Sequence, residues 1–405
     1  MTVSIPVLVG TIVLTVVLVR VYSADPEPYA VLVLVSPKQV HTTKEECTYT
    51  DVDHTIPQVL PSIYDAPMTQ LSVVVPMYNE EKRLPAMLDD ALAYLEELRK
   101  NGIPLAGKGA TPTSPDAPVE PLTSPLTSYE LLLVDDGSRD TTYATALKYA
   151  KQCNLPSGAS IRITRLFENC GKGAAVRHGV MHASGAFVLF ADADGATRFA
   201  DLTTLAAEMV RILTPAGHAI VAGSRAHLVT SDAVVKRSVV RNFLMRSFHF
   251  LLSILLRPPS LGGLWEKLLP SSQRAKEQRT FLPLQPRIQD TQCGFKLFAR
   301  ATARLLFPFA HIDRWIFDVE LILLAEMAGR ASEHVHIMRA EATRGEDVLL
   351  RLPLPVAEVA VQWEEIDGSK ISLFSDSILM ARDLVVIRTN YTIGRWRKPP
   401  SIYAP

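Results

Sequence analysis

Phe187-Val188-Leu189-Phe190-Ala191-Asp192-Ala193-Asp194-Gly195 is the stretch on which the fold turns. An uninterrupted apolar run ended by two carboxylates and a glycine reads as a buried strand entering a polar turn. On an extended backbone, residues two apart share a face, so Asp192 and Asp194 can point into one cavity. A hard divalent ion such as Mg²⁺ or Mn²⁺ takes few protein carboxylates and fills its shell with phosphate oxygens and water. A lone Asp-x-Asp is more often a solvated strand end. Here motifs on both sides of it reverse that preference.

Upstream, Leu71-Ser-Val-Val-Val75-Pro76 is a charge-free, β-branched run that ends in Met77-Tyr78-Asn79-Glu80-Glu81, with a helix expected over about 82–99. Tyr129-Glu-Leu-Leu-Leu-Val134 repeats the pattern and delivers Asp135-Asp136-Gly137-Ser138, after which Asp140 reads as a helix cap. A third strand over 161–166 runs into Asn169-Cys-Gly171-Lys172-Gly173 and another helix. The glycines allow close backbone approach and Lys172 supplies a point charge for phosphate, without the spacing of a Walker A loop. His178 reads as a helix-face residue. Strand, polar turn and helix in repetition predict an α/β fold with a mainly parallel, twisted sheet, whose ligands bind at the carboxyl edge.

The 405 residues carry 42 basic and 42 acidic side chains, so no global charge favours nucleic acid. Cys47, Cys153, Cys170 and Cys293 are scattered, which suggests neither a disulfide framework nor a zinc site. No charge precedes Arg20, and 3–19 is long enough to span hydrocarbon, which needs about 20 apolar residues. The missing basic n-region and the poor cleavage site at Tyr22-Ser-Ala24 favour an uncleaved transmembrane anchor over a signal peptide. Arg20 weakly favours a cytosolic catalytic part. The expected organisation is an anchor over 1–22, a linker over 23–60, a catalytic domain over 61–395 and a tail over 396–405. Pro/Ser/Thr-rich and Gly/Pro-rich insertions are expected at about 102–128 and 257–287. A basic, aromatic helix over 234–256 suits a membrane surface or a buried amphipathic role about equally. A strand with Arg225 at its end is expected at 219–225, and Asp290 heads the segment Asp290-Thr-Gln-Cys-Gly-Phe-Lys296. Asn390-Tyr-Thr392 is a glycosylation sequon that a cytosolic face would leave unmodified.

Taken in order, Val74-Val-Pro-Met-Tyr-Asn-Glu-Glu, Val134-Asp-Asp-Gly-Ser, Gly171-Lys-Gly, Asp192-Ala-Asp194 and Asp290-Thr-Gln-Cys-Gly-Phe-Lys resemble glycosyltransferase family 2. Within it the likeness is to enzymes that load glucose onto dolichyl phosphate, supported by Trp363-Glu-Glu-Ile-Asp-Gly-Ser-Lys370. The resemblance implies a GT-A fold, UDP-glucose as donor, Mg²⁺ or Mn²⁺, and dolichyl phosphate as acceptor at the cytosolic face of the endoplasmic reticulum. It implies that Pro76, Tyr78, Glu80, Asp135 and Asp136 hold the uridine, with Lys172 near the nucleotide. Asp192 would lie near the ribose or sugar, and Asp194, with Asp192, would ligate the metal. Asp290 occupies the family's base position, with Asp192 as the second candidate catalytic carboxylate, and is expected to orient substrate as much as take a proton. Arg225 and Lys296 are candidates for the acceptor phosphate. The alternatives are a GDP-mannose enzyme, disfavoured by Gly195-Ala-Thr-Arg-Phe199 after the paired aspartates, and a membrane-tethered nucleotide-sugar binder without catalysis. A processive synthase is disfavoured because Arg314-Trp315 lacks a preceding Gln.

Overall fold

A computed structural model describes residues 46–50, 57–101, 126–230, 288, 290–329, 354–366 and 373–402. These fall into two compact units, the smaller represented by residues 373–397 and the larger by the rest. The expected anchor and the basic helix at 234–256 lie outside the described residues, as does the insertion at 257–287. No helix among the described residues is long and apolar enough to cross a membrane.

In the larger unit a short antiparallel pair, β1 (Thr48–Tyr49) and β2 (Gln58–Val59), precedes the main sheet. There follow β3 (Thr69–Met77), α1 (Leu84–Asn101), β4 (Tyr129–Asp136), α2 (Thr142–Gln152), β5 (Ala159–Leu166), α3 (Lys172–Met181) and β6 (Gly185–Ala191). The chain continues through α4 (Leu202–Ile212), β7 (Ile220–Ser224), β8 (Phe295–Ala299), α5 (Arg300–Leu306), α6 (Phe317–Ala328) and β9 (Val356–Ala360). The seven main strands lie in the order β5-β4-β3-β6-β8-β7-β9. β4 and β6 are buried along their whole length, which is why they carry continuous apolar runs instead of an alternating pattern. Parallel register sets Val73 between Leu131 and Leu189. The core is built from these strands with Leu88, Leu95 and Leu98 of α1 and Leu205 and Met209 of α4.

β3, β4 and β5 step to one side, and β6 returns to the other side of β3. That reversal leaves a crevice at the carboxyl ends of β3 and β6. β8 is antiparallel to both β6 and β7. Its amino end therefore reaches the edge at which the parallel strands end. β7 and β9 are parallel to each other, and their carboxyl ends join the same edge. The expected parallel sheet thus holds one inverted strand, and β9 is a strand that the sequence pattern did not predict.

The segment read as a linker reaches the sheet. Thr50 and Ile163 exchange backbone hydrogen bonds of 2.9 and 3.0 Å, covering part of the outer edge of β5. Glu46 accepts from Phe167 N at 3.0 Å. The far end of the first expected insertion is also built in: Leu126 is buried and Thr127 N donates to Gln70 Oε1 at 2.6 Å.

In the smaller unit, α7 (Leu373–Thr392) closes at Gly394, whose φ of 72° suits a glycine after a helix. Arg395 N returns to Asn390 O at 3.0 Å. Asn390 is buried, and its Nδ2 donates to Val386 O at 2.8 Å.

Candidate active site

Every candidate residue sits at the carboxyl edge of the main sheet or on the loops leaving it. After β3, Asn79 takes a left-handed φ of 53°, which asparagine tolerates. Its N–H donates to Ser138 Oγ at 2.9 Å, and its Oδ1 accepts from Arg139 N at 2.8 Å. The turns after β3 and β4 are thereby fastened together. Tyr78 and Pro76 are half-buried beside this link. Glu80 N donates to Thr142 Oγ1 at 2.6 Å, while the Glu80 carboxylate holds Arg83 through two 2.7 Å bonds. Asp140 accepts from Thr142 N at 3.0 Å in a turn just ahead of the helix, whose cap falls on Thr141, one residue beyond the Asp140 expected from sequence.

The paired aspartates after β4 differ in use. Asp135 is fully buried, accepts from Ser138 N at 3.2 Å and lies 3.1 Å from Arg165 Nε; burial pushes its pKa up. Asp136 accepts from Cys170 N at 2.7 Å, Gly171 N at 2.9 Å and Asn169 Nδ2 at 3.0 Å. Burial raises Asp136 to about 6, and those N–H donors hold it from going higher. The carboxylate therefore shapes the glycine-lysine-glycine loop directly. Beside it, Gly137, Ser138, Arg139, Arg165, Phe167, Glu168 and Asn169 line a cavity of about 500 Å³.

Gly171 has a φ of 104°, and a Cβ there would meet Asp313 O at 2.4 Å. The loop thus fits closely against Ile312-Asp313, and Ala174 N donates to Asp313 O at 3.0 Å. Lys172 opens α3 and reaches across to Asp192 Oδ1 at 2.6 Å, with side-chain exposures of 24% and 28%. Burial works against the lysine's charge, but Asp192 outweighs it and the pKa is raised. Its ammonium also lies 5.4 Å from the centre of the Phe190 ring. Deeper on α3, His178 is buried and pushed down to about 3 by burial and by neighbouring His182, so it is neutral and far from a working base.

Asp194 accepts from Ala196 N at 3.0 Å, and its pKa is raised by burial and then by the charge of Asp192. A half-buried carboxylate repelled by its neighbour is a favourable partner for a hard cation, which would reverse that penalty. The oxygen donors of Asp194 and Asp192 therefore fit Mg²⁺ or Mn²⁺ supported by diphosphate oxygens. Among the described residues no group of three acidic, His or Cys side chains forms a complete protein cage.

The inverted β8 brings the last group of residues alongside. Asp192 N donates to Gly294 O at 3.0 Å, and a Cβ on Gly294 would fall 1.9 Å from Asp192 Oδ2, so a side chain there would have to displace the Asp192 carboxylate. Asp290 is gripped by Arg225 at the end of β7, with Nε to Oδ2 at 2.7 Å and Nη2 to Oδ1 at 2.9 Å. Arg225 N adds a third bond at 2.9 Å, and Asp290 N donates to Glu358 Oε1 at 2.8 Å. Burial would raise the Asp290 pKa; Arg225 outweighs burial, and the carboxyl titrates below its ordinary value. Lys296, proposed from sequence for the acceptor phosphate, is buried, and its ammonium pairs with Asp318 Oδ1 at 2.8 Å and with Cys293 O. Its position on β8, opposite Phe190 and Ala222, places it under the site instead of at its surface.

Sequence reasoning overlooked the acids at the start of α6. Asp318 holds Lys296, and buried Glu320 accepts from His311 N at 2.8 Å and Ile312 N at 2.7 Å, fixing the loop against which Gly171 packs. Two acids in the first turn of a largely apolar helix were the available signal.

A sheet edge that gathers paired aspartates, a lysine after a glycine turn and an arginine-clamped carboxylate has the organisation of a GT-A glycosyltransferase, and residues 72–227 match the model of Glycosyl transferase family 2. The chain is 40% identical over 356 residues to a dolichyl-phosphate beta-glucosyltransferase of Drosophila melanogaster, covering 87% of this chain and 85% of that one. The enzyme of that name from Homo sapiens is 38% identical, covering 84% and 81%, and the one from Saccharomyces cerevisiae 35%, covering 87% and 86%. A solved structure of glucosyl-3-phosphoglycerate synthase from Mycobacterium tuberculosis is a more distant likeness, at 18% identity over 82% of each chain with a TM-score of 0.40. The chain belongs to glycosyltransferase family 2, among its dolichyl-phosphate beta-glucosyltransferases.

Proposed function

We propose that this enzyme transfers glucose from UDP-glucose to dolichyl phosphate with inversion, giving a β-linked dolichyl glucosyl phosphate. The observation that carries the reading is the Arg225–Asp290 clamp set beside the Asp192/Asp194 pair, within a chain whose relatives bear the name of that reaction. The uridine is assigned to the turns after β3 and β4, with Pro76, Tyr78, Glu80 and Asp135 around it and Asp136 acting through the loop it shapes. Lys172 is assigned to the donor diphosphate, for which its ammonium would supply a point charge. Asp194, with Asp192, would hold Mg²⁺ or Mn²⁺, which supplies Lewis-acid stabilisation of the departing UDP.

The acceptor oxygen belongs to a phosphate already ionised at neutral pH, so a strong base is less necessary than for a sugar hydroxyl. Asp290 suits this. Its pKa is held down by Arg225, which makes it a weak base and a firm orienting group. Arg225 offers the acceptor phosphate its remaining N–H donors. Lys296 supports the site from below, through Asp318 and the Cys293 carbonyl. An N-terminal anchor in the endoplasmic reticulum membrane, with the catalytic unit on the cytosolic side, completes the proposal, because the polyprenyl tail of the acceptor stays in the bilayer.

The test is a membrane assay with dolichyl phosphate, Mn²⁺ or Mg²⁺, and labelled UDP-glucose beside GDP-mannose. Label entering lipid from UDP-glucose, and lost with chelator and in Asp194→Ala, supports the proposal. Transfer from GDP-mannose instead overturns the sugar, and nucleotide binding without lipid product overturns the acceptor.

A further inference from the structure

A short segment beyond β9 joins the two halves of the site. Residues 361–364 lie between them. On one side Val361 N donates to Ser224 O at 3.0 Å, next to Arg225. On the other, Trp363 and Thr197 form an antiparallel bridge. Arg198 N donates to Gln362 O at 3.1 Å, and Glu364 N to Ala196 O at 2.9 Å. The segment is therefore hydrogen-bonded both to the turn that carries Asp194 and to the strand end that carries Arg225.

Trp363 stands at the join. The Arg225 guanidinium lies over its ring, 5.5 Å from the ring centroid. On the guanidinium, Nε and Nη2 are committed to Asp290, while Nη1 has no partner among the described residues and about a third of the side chain is exposed, at 32%. A fork held along one edge by a carboxylate can still rock about that edge. An indole lying at cation–π distance restrains that rocking, and a planar guanidinium suits an aromatic neighbour better than an ammonium does.

We infer that Trp363 is a positioning residue for the acceptor: its ring holds the Arg225 fork in the plane that offers Nη1 to the acceptor phosphate, and its backbone keeps that fork in step with the Asp194 turn. The inference rests on the reading of Arg225 as the acceptor-phosphate group, and it gives a role to the tryptophan of the Trp363-Glu-Glu motif.

The experiment measures KM for dolichyl phosphate and for UDP-glucose, separately, in full-length Trp363→Leu, Trp363→Met, Trp363→Phe, Arg225→Lys and the double variant W363L/R225K. Thermal melts accompany each, and Trp363→Met replaces Trp363→Leu if the latter fails to fold. Loss of the stack is expected to raise the acceptor KM roughly 3- to 30-fold, with the donor KM changed less than about twofold. Trp363→Phe restores most of the loss. In the Arg225→Lys background, Trp363→Leu adds nothing, because the planar partner is already gone. Equal rises in both KM values, no rescue by phenylalanine, or a Trp363→Leu penalty that persists beside lysine would each overturn the inference. An unchanged acceptor KM in Arg225→Lys would instead sink the underlying reading of Arg225, and the tryptophan's role with it.

Discussion

Asp290 combines two requirements that usually conflict, ionisation at neutral pH and substantial burial, at 13% side-chain exposure. The Arg225 fork reconciles them. Because its folded pKa lies below the ordinary value of about 3.9, the ionised form stabilises the fold above that pH, and the contribution is lost as pH falls through the folded pKa. Asp290→Asn is therefore expected to cost roughly 1–3 kcal/mol at pH 7, with the gap from wild type closing below about pH 4, as read by denaturant melts across pH. The wild-type pH–rate profile should show no acid limb from this group above about pH 5. A second residue-scale expectation concerns Gly294. Its replacement by alanine would put a methyl group where Asp192 Oδ2 now lies. Transfer should fall by about 100-fold or more, as for other displaced catalytic groups. The thermal midpoint should move only a few degrees, since Asp192 is itself partly exposed. Retained transfer in Gly294→Ala would mean that Asp192 has room to move without loss.

Among the elements, α6 does the most for the site without touching substrate. Glu320 is buried and gathers two backbone N–H groups of the loop that backs Gly171 and Gly173. Its removal in Glu320→Ala leaves those donors unpaired, which should destabilise the fold by about 2–4 kcal/mol. It should also weaken UDP binding, measured by calorimetry on the folded fraction. Unchanged UDP affinity would separate this loop from the nucleotide. The parallel strands β3, β4 and β6 were legible because strands buried on both faces read as continuous β-branched and apolar runs. β8 was legible as a strand but not as an inverted one, since periodicity carries no direction. β9, Val-Ala-Glu-Val-Ala, is a short run interrupted by Glu358 and too brief to stand out. Neither the Lys172–Asp192 pairing nor the burial of Lys296 beneath Phe190 was legible, since both depend on strand order, which no local pattern encodes.

For the molecule as a whole, the sheet's outer edge at β5 depends on residues far upstream. Thr50 and Glu46 satisfy Ile163 and Phe167 there, in a segment whose composition gave no hint of structure. A chain beginning at residue 61 should melt roughly 5 °C or more below one beginning at residue 46 and self-associate through the bared strand. Equal melting temperatures for the two would show that the contact is dispensable.

The folded state also bears on Asn390 and its tripeptide. The amide nitrogen that a glycan would occupy is spent on the Val386 carbonyl inside a closed helix turn. A carbohydrate there and a native α7 exclude one another. A missing mass shift at this asparagine therefore says nothing about which side of a membrane the enzyme faces. A reporter tripeptide for that purpose has to be grafted onto an exposed turn, such as the one at Ile393.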